Sequence, residues 1–402
     1  MKIAFFANTD WYLLNFRTPL IAAARAAGHD VVLISPQGEY SRQLTDLGFK
    51  WIGAPMERRS LNPLKELRLL LWLRRTLLEE DIDLVHNFTI KCAVLGSVAA
   101  LLARRPRGWN PIGGSPARVN AIAGMGYVFL GTDLRARCLR PLVRVLMRMT
   151  LGGGNARLIV QNPDDARFFE DQHIVSREII RLIEGSGVDC EKFAPDSPAA
   201  ELAPNRVVKV LLPARLLWDK GIGEFVEAAR RVREHVTDVE FLVAGKSDPG
   251  NPAAIAQETI EAWKHDGPIH WLGHVDDMAA LYKSVDIVVL PSYREGLPKG
   301  LIEAGACAKP LIATDVPGCR EVVSNGTNGL LVPMKDAAAL ARAIETLVAD
   351  PALRRRMGQA SRAKVMNRFS DQMVIRQTLA VYHDTGWHQS ATRATPPRSG
   401  EA

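Results

Sequence analysis

The chain lacks any apolar run long enough to cross a bilayer. Its longest, "CAVLGSVAALLA" (92–103), has 12 residues, against roughly 20 for a spanning helix, so no transmembrane helix is expected. Cysteine is sparse: five in 402 residues, with no close pair and no Cys/His cluster. That argues against a disulfide scaffold or a zinc site and suits a reducing cytoplasm. The apolar run that opens "MKIAFFANTD" stops at Asn8, which suits a first strand rather than a secretory h-region. No G-x-G-x-x-G follows that strand, which disfavours a nicotinamide dehydrogenase. Acidic residues are scarce early on. Residues 1–160 hold 22 Lys+Arg against 11 Asp+Glu, a net +11, and 18 of those 22 are Arg; residues 161–402 hold 29 against 33, a net −4. A one-sided basic field suits an anionic partner, whether a phosphate-rich substrate, nucleic acid or an acidic membrane face.

What is present is an alternation of short apolar runs and helical patterns. At 402 residues two domains are expected, and 47% apolar with 24% charged residues is the composition of a soluble globular protein. Strands are expected at 2–7, 29–36 and 83–88, with helices at 18–28, 41–48, 64–80 and 91–103 between and after them. The runs are continuously apolar rather than alternating, the pattern of a parallel sheet covered on both faces. Residues 104–120, rich in Pro, Gly and Arg, read as a loop. A helix at 133–150, a strand at 157–161 and a helix capped near Asn162–Asp164 follow. The rhythm restarts with strands at 207–214, 240–245, 269–273, 286–292, 310–314 and 329–333. The expected organisation is therefore α/β: a first doubly wound, Rossmann-like domain over 1–185, a proline-rich linker over 186–206, and a second such domain over 207–370. A final helix at 371–387 crosses back to the first domain, and a disordered tail spans 388–402.

Ligands of open α/β sheets sit at the carboxyl ends of strands beside helix N-termini, and two such domains facing each other form a cleft. Three strand ends in the second domain stand out. In "LPARLLWDKGIGEFVEAA" (212–229), Arg215 and Lys220 flank a strand-to-helix turn, where a guanidinium fork and an ammonium can grip a diphosphate; the bland alternative is a solvated loop. In "LGHVDDMAALY" (272–282), the backbone of Gly273, His274 and Val275 could pair with a nucleobase edge, or Asp276 or Asp277 simply caps a helix. In "PSYREGLPKGLIEAGA" (291–306), Pro298 suits the first turn of a helix, so amides near 297–300 form an anion site. Glu295 precedes that helix and Glu303 lies in its second turn. Carboxylates beside a bound phosphate suit the reading of hydroxyls, as on a sugar or ribose; the alternative is a surface Glu pair, or Glu303 capping a neighbouring loop.

At this point the sequence resembles a family. "EGLPKGLIE" looks like the Glu-x7-Glu signature of glycosyltransferase family 4, whose members have the GT-B fold, and "ARLLWDKGI" resembles its diphosphate-binding stretch. Supporting phrases run from "NFRTPLIAAARAAGHDVVLISP" (15–36) through "HNFTIKCAVLGSVAA" (86–100), "NAIAGMGYVF" (120–129), "VQNPDDARFF" (160–169) and "EGSGVDCEKF" (184–193) to "NGTNGLLVP" (325–333). "NFR", "NFTIK" and "GMGYVF" resemble a narrower group that extends glycans on polyprenyl-diphosphate lipids for O-antigen, capsule or protein glycosylation. The resemblance implies a retaining, metal-independent transfer of a hexose or N-acetylhexosamine from a UDP-sugar to a lipid-linked saccharide. It implies no nucleic acid and no cofactor beyond the donor, on the inner face of the plasma membrane. Arg215 and Lys220 would bind the donor diphosphate, Glu303 the ribose hydroxyls, and Glu295 the transferred sugar, with the Gly296, Leu297, Pro298 and Lys299 backbone near it. His86, at a strand end, would face the cleft near the reacting centre; Arg17, Asn87 and Lys91 would lie on the acceptor side. The chain departs from the family in three places: the loop "NTDWYLLNFR" has no glycine pair, Phe88 stands where a second His is common, and the segment 104–118 is longer and more irregular than the family leads one to expect. The rival readings are a GT-B sugar-nucleotide epimerase and a non-enzymatic basic membrane-binding module.

The basic half supplies the membrane expectation. In "DLRARCLRPLVRVLMRM" (133–149), Arg137, Arg140, Arg144 and Arg148 recur at helical spacing, while Leu139, Leu142, Val143, Leu146 and Met149 supply an apolar face. This reads as an interfacial helix held to anionic lipid by its arginines, with Arg58, Arg59, Lys65, Arg68, Arg74 and Arg75 extending the patch; the bland alternative is a domain helix with a solvated basic face.

Overall fold

The computed structural model describes residues 1–58, 60, 62–104, 114–122, 134–195, 207–248 and 250–385, with the backbone alone for 134–139 and 266. Most of the segment read as an irregular loop, the phrase "GMGYVF", Arg59, the second half of the 186–206 stretch and the tail lie outside the described residues. Contacts divide the chain into two units: Met1–Glu184 with Val374 onward, and Gly185–Met373.

The first unit holds seven parallel strands: β1 (Lys2–Phe6), β2 (Asp30–Ser35), β3 (Lys50–Gly53), β4 (Leu84–Phe88), β5 (Ala117–Ile122), β6 (Ala156–Val160) and β7 (Ile180–Leu182). Their order is β3-β2-β1-β4-β5-β6-β7, so the direction of winding reverses between β1 and β4. Val85, Ala4 and Val32 face one layer of helices; Ile3, Phe5 and Leu33 face the other, which is why these strands carry apolar residues at every position. Val374, Val381 and Tyr382 of the helix Asp371–His383 complete the second of those cores.

The second unit repeats the design with six strands: β8 (Val208–Pro213), β9 (Val239–Ala244), β10 (Ile269–Gly273), β11 (Ile287–Leu290), β12 (Leu311–Thr314) and β13 (Gly329–Val332). The order is β10-β9-β8-β11-β12-β13, all parallel. Its reversal falls between β8 and β11. Residues 186–195, expected as linker, pack into this unit: Val188 and Phe193 are buried in its core, and Val188 exchanges backbone hydrogen bonds with Phe369 and Asp371.

Several elements differ from the sequence reading. The first helix is Asp10–Ala26, so most of the glycine-free "loop" is helical. Thr9 starts it by accepting from the Tyr12 amide, satisfying one of the donors a helix start leaves open. β3, β5 and β7 were not expected. Among the described residues no helix is long and apolar enough to cross a membrane.

Asp371 gives a pH signature. Burial, with Asp189 adding to it and Lys299 opposing, raises its carboxyl from 3.8 to about 6. Below both values the folded and unfolded carboxyls are equally protonated. As pH rises between them the unfolded state sheds its proton first, so this group's contribution to stability falls. Asp371→Asn is therefore expected to gain stability over the parent between pH 4 and pH 6, levelling above that; denaturant titrations across that range check it, and a parent–variant gap independent of pH contradicts it.

Candidate functional site

In an open α/β sheet, the crevice outside the point of reversal is where a ligand fits. In the second unit that point is flanked by the carboxyl ends of β8 and β11. After β8 the chain passes Arg215, makes a short turn at Trp218–Lys220, and enters the helix Ile222–Arg233 through Gly221, which is left-handed at φ +71°. After β11 it runs from Pro291 to Pro298 and enters the helix Lys299–Ala306. The two loops are fastened together. Lys220 Nζ donates to Glu295 Oε1 at 2.5 Å across 75 residues of sequence. The Tyr293 amide donates to the Asp219 carbonyl at 2.9 Å, and the Tyr293 hydroxyl donates to Glu224 Oε1 at 2.7 Å.

Two glycines make this closeness possible. A Cβ on Gly221 would sit 2.1 Å from the Pro291 carbonyl oxygen, and one on Gly318 would sit 2.4 Å from that of Gly296. Both positions have positive φ, at +71° and +82°, so glycine is required twice over, for backbone conformation and for space. The loop bearing Glu295 is held between them.

The expected donor residues take separate positions at this crevice. Lys220 and Glu295 form a half-buried pair, with side chains 20% and 14% exposed. Arg215 is more open and donates to Asp248 Oδ2 at 2.7 Å. Glu303 is half-buried, and desolvation raises its carboxyl although Lys299, 3.7 Å away, pulls it down. Pro298 is the residue before the helix rather than its first turn, and it supplies no side-chain cap. Gly296 and Leu297 lie in the clamped loop, and Leu297 packs on the second unit's core.

Gly273 ends β10 at φ +67° and its carbonyl accepts from the Gly245 amide at 2.7 Å. His274 faces Asp276 at 3.3 Å and is exposed; Val275 packs against the core. Asp277 caps the helix Met278–Ser284 by accepting from the Ala280 amide. Beside Gly273 lies a cavity of about 320 Å³ lined by Leu216, Gly245, Lys246, Ser247, Trp271 and Gly273, among others. Lys246, Ser247 and Asp248 were missed by sequence reasoning; their signal was a strand, "EFLVAG", ending in glycine beside the β8 turn.

In the first unit the structure assigns different work to several expected residues. His86 is not at a strand end: it lies inside β4, 1% exposed. Its Nδ1 is 2.7 Å from the Tyr382 hydroxyl and its ring lies against Phe5 and Phe88. Burial first, then the Arg17 charge, holds its pKa well below the usual value. Its Nε2 is buried without a hydrogen-bond partner. Arg17 is also buried; it donates to the Tyr12 hydroxyl at 2.6 Å and lies 4.5 Å over the Phe88 ring. Asn87 donates to Asn120 Oδ1 inside the core. Lys91 spends three donors on the Glu57 and Ser60 carbonyls and Glu66 Oε1, fastening a loop. Thr89, which follows β4, adopts φ +74° and ψ 157°, a costly conformation for a β-branched residue.

The arginine helix is Leu134–Thr150. The side chain of Arg137 lies outside the described residues. Arg140 and Arg144 are half-buried, and Arg148 donates to the carbonyls of Gln172 and His173 at 2.8 and 2.7 Å. Of the apolar face expected, Leu142, Leu146 and Met149 are exposed together with Val145, whereas Val143 packs inward beside Met147.

Residues 17–185 match the model of the glycosyl transferase 4-like domain, and residues 208–350 match that of glycosyl transferases group 1. The chain belongs to this glycosyltransferase family. A Campylobacter jejuni relative, N,N'-diacetylbacillosaminyl-diphospho-undecaprenol alpha-1,3-N-acetylgalactosaminyltransferase, is 29% identical over 95% of this chain and 98% of its own. An Escherichia coli UDP-Gal:alpha-D-GlcNAc-diphosphoundecaprenol alpha-1,3-galactosyltransferase is 26% identical over 85% of each. The crystal structure of Anabaena Alr3699/HepE in complex with UDP superposes with a TM-score of 0.75 at 19% identity, over 95% of this glycosyltransferase and 100% of that chain. The fold is GT-B.

His86 offers a direct check of the first unit. A buried neutral imidazole should show ring proton shifts that stay flat by NMR from pH 8 to pH 5. A midpoint near the ordinary value of 6.5 would contradict the burial described.

Proposed function

We propose that this glycosyltransferase moves a sugar from a UDP-sugar to a saccharide carried on a polyprenyl diphosphate, with retention at the anomeric carbon. The observation that carries the reading is the Lys220–Glu295 clamp at the second unit's point of reversal, with Arg215 on one side and the helix start at Lys299 on the other. A departing nucleoside diphosphate develops negative charge, and cations and helix amides already in place stabilise it without reorganisation; each such contact is worth roughly 2–4 kcal/mol. Lysine has three donors and one is given to Glu295, so the remaining two can serve phosphate oxygens while the carboxylate keeps the ammonium aimed. Glu295 then lies beside the sugar that leaves the phosphate, and Glu303 accepts from the ribose hydroxyls. No enzymic nucleophile is needed: a leaving phosphate oxygen takes the proton of the acceptor hydroxyl as the new glycosidic bond forms on the same face. The charge is neutralised by side chains, with no metal cofactor.

The acceptor and the location follow the relatives. Proteins named for undecaprenol-diphosphate saccharides align along almost the whole chain or most of it, which supports a lipid-linked acceptor; the location that goes with such an acceptor is the cytoplasmic face of an anionic membrane, held peripherally. The donor sugar proposed is an N-acetylhexosamine or hexose.

Turnover of UDP-sugars with a polyprenyl-diphosphate saccharide tests this. Glu303→Ala and Arg215→Ala should each lower kcat/KM by about a hundredfold or more while the unfolding midpoint stays near the parent's. Parent-like turnover in either variant removes the proposed donor site. Chelation with EDTA should leave turnover unchanged; a loss restored by Mg²⁺ would refute metal independence.

A further inference from the structure

We infer that the aromatic shelf at the start of the helix Asp10–Ala26 is a stacking subsite for a pyranose ring of the acceptor saccharide, with Trp11 as its outer face. The inference deepens the proposed function and rests on it, since it names side chains that hold the sugar to which the new bond is made.

The residues come from the glycine-free segment "NTDWYLLNFR". The helix follows β1 after a short turn, and Phe88 is the last residue of β4. Both therefore lie at the carboxyl ends that flank the first unit's point of reversal, where an open α/β sheet receives a ligand. Trp11 is 45% exposed, and Tyr12 and Phe16 are half-buried. The Phe16 ring centroid is 5.2 Å from that of Trp11, edge to face, and 5.3 Å from that of Tyr12 in a stack. Tyr12 continues inward to Phe88 at 5.6 Å, and Phe88 to His86 at 4.2 Å. Packed rows of rings are usual inside a protein, but this one ends on an indole in solvent.

The shelf is held rigid. Asp10, itself buried, accepts from the Trp11 and Tyr40 amides and the Ser41 hydroxyl at 2.8, 2.9 and 2.8 Å, which ties the helix start to the loop after β2. A Cβ on Gly38 would sit 2.6 Å from Asp10 Oδ1, so a side chain there would push the loop away. Arg17 braces the inner side: its guanidinium carbon lies 4.5 Å from the Phe88 centroid and 5.2 Å from that of Tyr12, and Nη2 donates to the Tyr12 hydroxyl. Two polar atoms at this inner end, Arg17 Nε and His86 Nε2, are buried without a hydrogen-bond partner. A row of rings that ends in unsatisfied polar atoms has the make-up of a ligand site rather than of plain core.

Composition selects the occupant. The face of an aromatic ring is electron-rich, and one face of a pyranose presents C–H groups polarised by its oxygens, so the two stack while the hydroxyls turn to polar neighbours. A prenyl tail needs a longer aliphatic groove; the exposed side chains along Asp10–Leu20 are Trp11, Asn15 and Pro19. A nucleobase also stacks on an indole, so donor binding is the outcome that the test must separate.

The test compares Trp11→Ala, Trp11→Phe and Trp11→Leu in the full chain, using a short-chain, water-soluble prenyl-diphosphate saccharide as acceptor. Trp11 is exposed, so thermal midpoints should hold. Trp11→Ala should raise KM for this acceptor about tenfold, with kcat and the KM for the UDP-sugar at the parent's values, the split left by losing an interaction made equally in ground and transition states. Trp11→Phe keeps an aromatic face and should restore most of the affinity; Trp11→Leu keeps apolar surface alone and should not. An unchanged acceptor KM overturns the inference. So does equal rescue by leucine, which would mean simple apolar contact, and so does a KM for the UDP-sugar that rises in step, which would give the indole to the donor. Saturation-transfer NMR with the methyl glycosides of glucose, galactose and their N-acetyl analogues reads binding without turnover. Transfer to ring C–H protons should appear in the parent and fall in Trp11→Ala; no transfer in the parent, or the same transfer in both, overturns the inference. A parent that binds these glycosides through Trp11 but moves no sugar from any UDP-sugar would instead sink the glycosyltransferase reading and leave the subsite standing.

Discussion

The Lys220–Glu295 ion pair is the constraint on which the site depends. It joins two loops whose strands are neighbours in the sheet but 75 residues apart in the chain. A pair this buried is costly to desolvate, and its attraction offsets that cost only when the geometry is good and further hydrogen bonds are made. The surroundings supply such support: Gly221 and Gly318 let the backbones close, Tyr293 ties the two loops through a main-chain and a side-chain bond, and Thr314 Oγ1 donates to the Ser292 carbonyl. The result is an ammonium held in place before any substrate arrives. Under the proposed function, that is the arrangement electrostatic catalysis requires, since a flexible lysine would have to be ordered during the reaction.

Glu303 shows the opposite balance. Its carboxyl is raised by burial, so at neutral pH it is a group the fold holds at some expense. Under the proposed function, this carboxyl beside the start of the helix Lys299–Ala306 accepts from the ribose hydroxyls. Arg215, by contrast, is half-exposed and tied to Asp248, a contact that contributes little to folding and can be exchanged for phosphate at small cost.

Most strands were legible because both faces of a parallel sheet are covered, which forces a continuous apolar run. The three that escaped carry polar residues. β5 contains Arg118 and Asn120, both buried; Arg118 is satisfied by the carbonyls of Thr150 and Gly152 and by Asn155 Oδ1. β7 is only three residues, one of them Arg181, and β3 only four. The first helix was read as starting at residue 18; the chain instead starts it after Thr9 and places Pro19 inside it. In the site, residue types and local spacing pointed to Arg215, Lys220, Glu295 and Glu303. Which of them meet did not, since Lys220 with Glu295 and Lys91 with Glu66 are tertiary pairings. Nor could the periodicity of the arginine helix say which face turns outward; that depends on the helix packed beside it.

The most direct measurement of the central claim is calorimetric binding of UDP and UMP to the parent and to Lys220→Met. The account predicts that the parent prefers UDP, because the second phosphate reaches the Lys220 ammonium, and that the variant loses this preference while still binding UMP. Equal affinities of the parent for the two nucleotides, or a preference for UDP that survives the substitution, would contradict it.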